Sequence, residues 1–156
     1  MEMTGEQLIP QSQDVTWKAL NDTAVLKACI PGCESIEQTG DNEYQLVMIA
    51  KVGPVSAKFK GKMTLSDIVA PQSYRIAFEG QGGVAGFAKG EASVNLAPVD
   101  GGTKLAYACN AMIGGKLAQV GSRLIDGVAK KIAGEFFTAF NTQVSTHVST
   151  QASGIA

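Results

Sequence analysis

From Leu117 to Val144 the chain carries a helical pattern that follows about a hundred residues of strand-like sequence. Leu117, Val120, Leu124, Val128, Ile132, Phe136 and Phe140 recur every three or four positions, which places them on one face of an α-helix. Gln119, Arg123, Lys130, Lys131 and Thr138 fall on the other side, so the helix covers something while facing water. At about 1.5 Å per residue such a helix reaches about 42 Å, enough to lie diagonally across a whole sheet. A sheet gripped by one long helix is a container.

The rest of the chain supplies that sheet. Met3 to Pro10 reads as an opening edge strand, where a terminal proline is tolerated. Two short helices follow, one capped by Asp14 and carrying Val15, Trp17, Ala19 and Leu20, the other capped by Asp22 and ended by Pro31-Gly32. Trp17 is expected to anchor its helix to the sheet. The period then changes to two. Strands are predicted near 33–38, 43–52, 55–67, 72–80, 85–97 and 102–112, separated by turn clusters such as Thr39-Gly40-Asp41-Asn42 and Asp100-Gly101-Gly102. Connections this short imply antiparallel neighbours. The expected class is α+β: a curved antiparallel sheet of about seven strands, two short helices and a long C-terminal helix enclosing a cavity. One domain covers 1–144, and 145–156 is a polar, flexible tail.

Within 57–66, Ala57, Phe59, Gly61, Met63 and Leu65 alternate with Lys58, Lys60, Lys62, Thr64 and Ser66, giving a dry and a wet face. The lysine series therefore reads as a solvated exterior. On the dry face Tyr74, Ile76 and Phe78 are large, whereas Ala88, Gly90 and Ala92 are small, and Gly61 with Ala106 or Ala108 extends the missing volume. Protein interiors pack to a density of about 0.75, so small inward residues mean either close approach of the helix or room for a ligand. Helix glycines Gly121, Gly127 and Gly134, each costing about 1 kcal/mol relative to alanine, raise the same alternative of tight packing or bending.

Charge and composition exclude several functions. With a net charge of −1 and scattered basic residues, the chain lacks the basic stripe that nucleic acid requires. No apolar run approaches a membrane span, and no basic segment followed by an apolar one marks a signal peptide, so the expected location is cytoplasmic. Cys29 and Cys33 with the distant His147 cannot complete a tetrahedral zinc site, and Cys109 alternates with Leu105, Tyr107 and Ala111 as a small inward residue. No metal site is expected. The glycine-rich stretch 80–87 lacks the Lys-Ser or Lys-Thr ending of a phosphate loop. His147 sits near the end of the helical pattern as a surface residue, Ser122 has no partner histidine, and Asp67, Glu79 and Glu91 fall on wet positions or strand ends. No catalytic residue is therefore assigned. Tyr74 and Tyr107 have hydroxyls suited to a polar headgroup or to a solvent-reaching core position.

The chain also resembles a known group of proteins. Strand, two short helices, six antiparallel strands and a long helix is the order of the helix-grip fold of START lipid-transfer domains, birch-pollen-allergen-like proteins and polyketide cyclases. More specifically, residues 3 to 144 resemble the CoxG family of carbon monoxide dehydrogenase subunits in Val15-Thr16-Trp17-Lys18-Ala19-Leu20-Asn21-Asp22, Cys29-Ile30-Pro31-Gly32-Cys33, Val52-Gly53-Pro54-Val55, Gly80 to Gly90 and Gly114 to Arg123. The resemblance implies a companion of a molybdenum-containing hydroxylase of the carbon monoxide dehydrogenase type, with a role in bringing it to the inner face of the cytoplasmic membrane. It also implies a lipophilic ligand such as a quinone or lipid, with no covalent cofactor. Longer relatives carry an extended C-terminal tail suited to membrane contact, whereas only Ser145 to Ala156 follow Val144 here.

The expected protein is a non-catalytic binding and accessory protein for a hydrophobic small molecule. The alternatives are a cyclase- or hydrolase-like enzyme of the same fold and an assembly factor with a filled core. Candidate cavity residues are Phe59, Met63, Tyr74, Phe78, Gly90, Val94 and Tyr107 from the sheet and Leu117, Val120, Leu124 and Val128 from the helix. Gly82, Gly83, Gly86, Gly114, Gly115 and Gly121 are expected to gate its mouth.

Overall fold

A computed structural model describes the backbone of residues 1–155 and the side chains of residues 1–145. Apart from Ser145, the expected tail at 145–156, with His147 in it, therefore lies outside the residues described in full. The seven strands are β1 (Glu2–Ile9), β2 (Cys33–Gly40), β3 (Glu43–Val52), β4 (Val55–Val69), β5 (Ser73–Gln81), β6 (Phe87–Val99) and β7 (Gly102–Gly114). The helices are α1 (Gln13–Leu20), α2 (Thr23–Cys29), α3 (Lys116–Gln119) and α4 (Ser122–Ile155), with one 3-10 turn at Gly83–Ala85.

The strands form a single antiparallel sheet in the order β1-β7-β6-β5-β4-β3-β2. Each link from β2 to β7 is a short turn, so sequence neighbours are spatial neighbours. The first strand instead crosses to pair with the last, because α1 and α2 carry the chain from one edge of the sheet to the other. Helix α4 touches β1 at one edge and β3 beside the opposite edge. Laid flat, those strands would stand about 24 Å apart, against a helix diameter of about 10–12 Å. The sheet curls around the helix.

Both short helices start where a side chain satisfies an otherwise unpaired N–H. Asp22 caps α2 as expected, its Oδ1 accepting from Ala24 N at 2.9 Å. Helix α1 is capped by Ser12 and not Asp14, since Ser12 Oγ accepts from Val15 N at 3.2 Å and Asp14 lies inside the first turn, where its charge favours the helix dipole. Thr16, fully buried, returns its hydroxyl proton to the Ser12 carbonyl at 2.8 Å. Trp17 packs edge-on against Tyr74 with ring centroids 5.2 Å apart, fixing α1 to the sheet.

The long helical pattern is broken near its start. Gly121 takes a left-handed φ of +96°, dividing the expected single helix into α3 and α4. The break rotates the following face. Leu124 is turned outward to 38% exposure, and Phe137, which lies off the predicted stripe, is buried with Phe140 and Val144. At Gly127 and Gly134 an added Cβ would meet nothing within 4 Å, so neither marks close packing.

Two clusters make up the core. The larger joins Ile9, Leu20, Val25, Tyr74, Leu105, Phe137, Phe140 and Val144 beneath α4 and the short helices. The smaller gathers Val52, Phe59, Ala85 and Leu117 under α3. The convex face is wet. Lys58, Lys60 and Lys62 are exposed, and Arg75 pairs with Glu91 there at 2.8 Å.

Candidate functional site

The strand register fixes which residues face the helix. Leu46 lies opposite Gly61 and Met48 opposite Phe59 between β3 and β4, and Met63 opposite Phe78 between β4 and β5. On β5 and β6, Gly80 lies opposite Ala88, Phe78 opposite Gly90 and Tyr74 opposite Val94, whose partner on β7 is Tyr107. Ala106 and Ala108 pair with Asn95 and Ser93 on the outward parity. They add nothing to the inner face, contrary to expectation.

Two chambers remain between this face and the helices. The inner one, about 190 Å³, is lined by Leu20, Leu26 and Ile30 from the short-helix side, by Tyr44, Tyr74, Val94 and Tyr107 from the sheet, and by Phe136 and Phe137 from α4, among others. The second, about 320 Å³, lies beneath α3 and the start of α4 and includes Leu46, Met48, Phe59, Phe78, Gly80, Ala88, Leu117 and Ile132 in its wall. Met63 lines both.

Seven of the eleven expected cavity residues thus border a chamber: Tyr74, Val94 and Tyr107 the inner, Phe59, Phe78 and Leu117 the second, and Met63 both. Val120 and Val128 pack against the smaller core cluster. Leu124 leans over the β3–β4 turn, where a Cβ on Gly53 would stand 2.7 Å from its Cδ2. Gly90 has a different role from the one expected. A Cβ there would fall on the Asn110 carbonyl oxygen and lie 2.7 Å from Ala111 Cα, so its missing side chain makes room for the close-lying β7 backbone and not for a ligand. The volume is left instead by Gly80, whose Cβ would find only the Ala88 carbonyl oxygen, 4.0 Å away. Alternation reveals that Gly80, Leu46 and Met48 face inward, and the helical spacing places Ile132 on the inner stripe, but the contribution of Leu20, Leu26 and Ile30 depends on how the short helices fold back.

The six glycines expected at the mouth divide into two sets. Gly86 and Gly115 meet backbone to backbone, a Cβ on Gly115 falling 2.6 Å from Gly86 Cα. Gly114 lies against the Phe87 ring and Gly82 against that of Phe59, while Gly82 N donates to the Gly86 carbonyl at 2.8 Å. These four are close-packing positions. Gly83 and Gly121 have open space around them, and beside Gly83 the side chain of Val84 is 84% exposed.

The inner chamber's polar groups are phenols and one amide, that of Asn21, which donates to the Trp17 carbonyl at 2.9 Å. Burial pushes the Tyr74 phenol well above its ordinary value, and nearby Tyr44 adds to the shift. It is therefore a protonated hydrogen-bond donor at neutral pH. With the folded-state value raised, the unfolded chain loses this proton first, so the stability is intact below about pH 10 and declines as pH rises above it. Melting temperatures measured from pH 8 to 11 should fall more steeply for the wild type than for Tyr74→Phe. Parallel curves would mean that the phenol is solvated.

Outside the chambers, Cys29, Cys33 and Cys109 are free thiols, all pushed up by burial. Among the described residues no three His, Cys, Asp or Glu side chains stand together as metal ligands. No helix there is long and apolar enough to cross a membrane.

Comparison with known proteins agrees with this architecture. The family model for CoxG, a subunit of carbon monoxide dehydrogenase, matches residues 5–145. A conserved protein from Geobacillus kaustophilus superposes with a TM-score of 0.88 at 29% identity, over 94% of this chain and 96% of that one. A START superfamily protein from Mycobacterium smegmatis gives a TM-score of 0.72 at 12% identity, covering 93% and 97%. Zhui aromatase/cyclase from Streptomyces sp. R1128 gives 0.69 at 12% identity, covering 95% of each chain. These last two show the shared helix-grip fold alone. No curated protein matches the sequence.

Proposed function

The chain belongs to the CoxG family of carbon monoxide dehydrogenase subunits, and on that premise we propose that it is a non-catalytic accessory protein holding a lipophilic small molecule between the sheet and α4. The observation that carries this reading is the pair of apolar chambers, about 190 and 320 Å³, between the sheet and the helices. Together they reach the range of small-molecule sites, about 300–1,000 Å³. The ligand class is quinone- or lipid-like, because the walls are hydrocarbon and the polar groups are few and sited at one end. The client is a molybdenum-containing hydroxylase of the carbon monoxide dehydrogenase type, recruited to the inner face of the cytoplasmic membrane. The proposed entry route runs past the exposed tip at Gly83 and Val84 and the break at Gly121.

The competing enzymatic reading draws on the fold of the aromatase/cyclase and requires a general base in the cavity. Tyr74, held protonated, is poorly suited to that work. Native mass spectrometry of freshly purified protein, followed by organic extraction, tests the proposal. A co-purifying lipophilic species released on denaturation is expected. Protein of apo mass alone, unchanged after incubation with quinone and phospholipid extracts, would refute the carrier role.

A further inference from the structure

The chambers differ in size and in chemistry, and one side chain stands between them. The inner one is slightly larger than a cavity of about 150 Å³ that holds benzene, so it accepts a group of single-ring size. Its wall includes the three tyrosines Tyr44, Tyr74 and Tyr107. The second is larger, and its inward side chains are hydrocarbon apart from the thioether of Met48 and that of Met63 itself. Met63 points inward from β4, between Tyr44 on β3 and Phe78 on β5. Among the described residues it is the one side chain shared by both linings.

We propose, resting on the binding role above, that Met63 is the specificity-determining residue of the cavity, a movable partition that sets how long a ligand the protein accepts. A molecule with a compact polar end and an apolar chain places that end among the tyrosines, and its chain reaches the second chamber only by displacing the Met63 side chain. Methionine suits this task, being unbranched with three rotatable bonds and so able to swing aside without moving the strand. A short ligand leaves the partition closed. A long one pays to open it and then gains the hydrocarbon surface beyond.

The test is a homologous series of 4-n-alkylphenols, from methyl to dodecyl, titrated calorimetrically into delipidated full-length protein. Each methylene that enters an apolar wall is expected to tighten binding by about fourfold. In the wild type this gain should be interrupted where the chain meets Met63 and resume for longer homologues. Met63→Ala removes the interruption, so the ratio of octylphenol to methylphenol affinity rises at least tenfold over that of the wild type. Met63→Phe blocks the passage and lowers that ratio at least tenfold below the wild-type value, and it carries the test if Met63→Ala does not fold. Superimposable chain-length profiles for wild type and a folded variant would overturn the partition while leaving the binding role intact. If no homologue binds the wild type, the binding role itself fails, and the partition with it.

Discussion

Phe140→Ala should lower the stability of the protein by about 3–5 kcal/mol, the cost of removing a fully buried phenylalanine and leaving a cavity behind. Phe140 is 0% exposed and stacks on Phe136 with centroids 5.8 Å apart, in the cluster that also contains Ile9, Leu105 and Val144. These residues come from α4, β1 and β7, so the ring ties the closing helix to the one place where the ends of the chain's strand sequence meet. Its surroundings cannot collapse easily, being fixed by a strand pair on one side and a helix on the other. Leu124→Ala, 38% exposed beyond the Gly121 break, is the matched control and should cost under about 1 kcal/mol. Guanidinium unfolding midpoints with unchanged slopes measure both. Equal losses would mean that the helix is held by its exposed beginning and not by its phenylalanines.

That contrast marks how far the sequence could be read. Periodicity identified a helix after β7, and alternation placed Phe59, Met63, Tyr74, Phe78 and Tyr107 inward, because turn residues and period-two burial are local properties of the chain. It could not show that Gly121 would take a left-handed φ, which breaks the count and moves the buried stripe from Leu124 to Phe137. Nor could it distinguish the reasons for a small residue. Gly90 and Gly80 both face inward on neighbouring strands, yet one yields to the backbone of β7 and the other borders empty space. That difference depends on how sharply the sheet bends, a property of three strands together. The inner chamber's wall of Leu20, Leu26 and Ile30 was hidden for the same reason, since a strand's alternation carries no information about which helix folds back over it.

The two glycines provide the most direct experiment on the site. Gly80→Leu should fill part of the 320 Å³ chamber and reduce binding of a long-chain ligand such as octylphenol at least tenfold, with stability unchanged or raised by up to about 1 kcal/mol. The added side chain enters a void, and glycine is a poor strand residue, so both terms favour folding. Gly90→Leu should do the opposite to stability, costing at least the 1–3 kcal/mol or so of an overpacked core, because its Cβ must displace the backbone at Asn110 and Ala111. Even Gly90→Ala carries that clash. Thermal melts and binding isotherms on the same three variants separate the cases. A Gly80→Leu protein that melts like the wild type and still binds octylphenol with full affinity would place the ligand elsewhere. A Gly90→Ala protein of undiminished stability would show instead that β7 can move away from β6 at this point, and that the curvature of the sheet does not depend on the glycine.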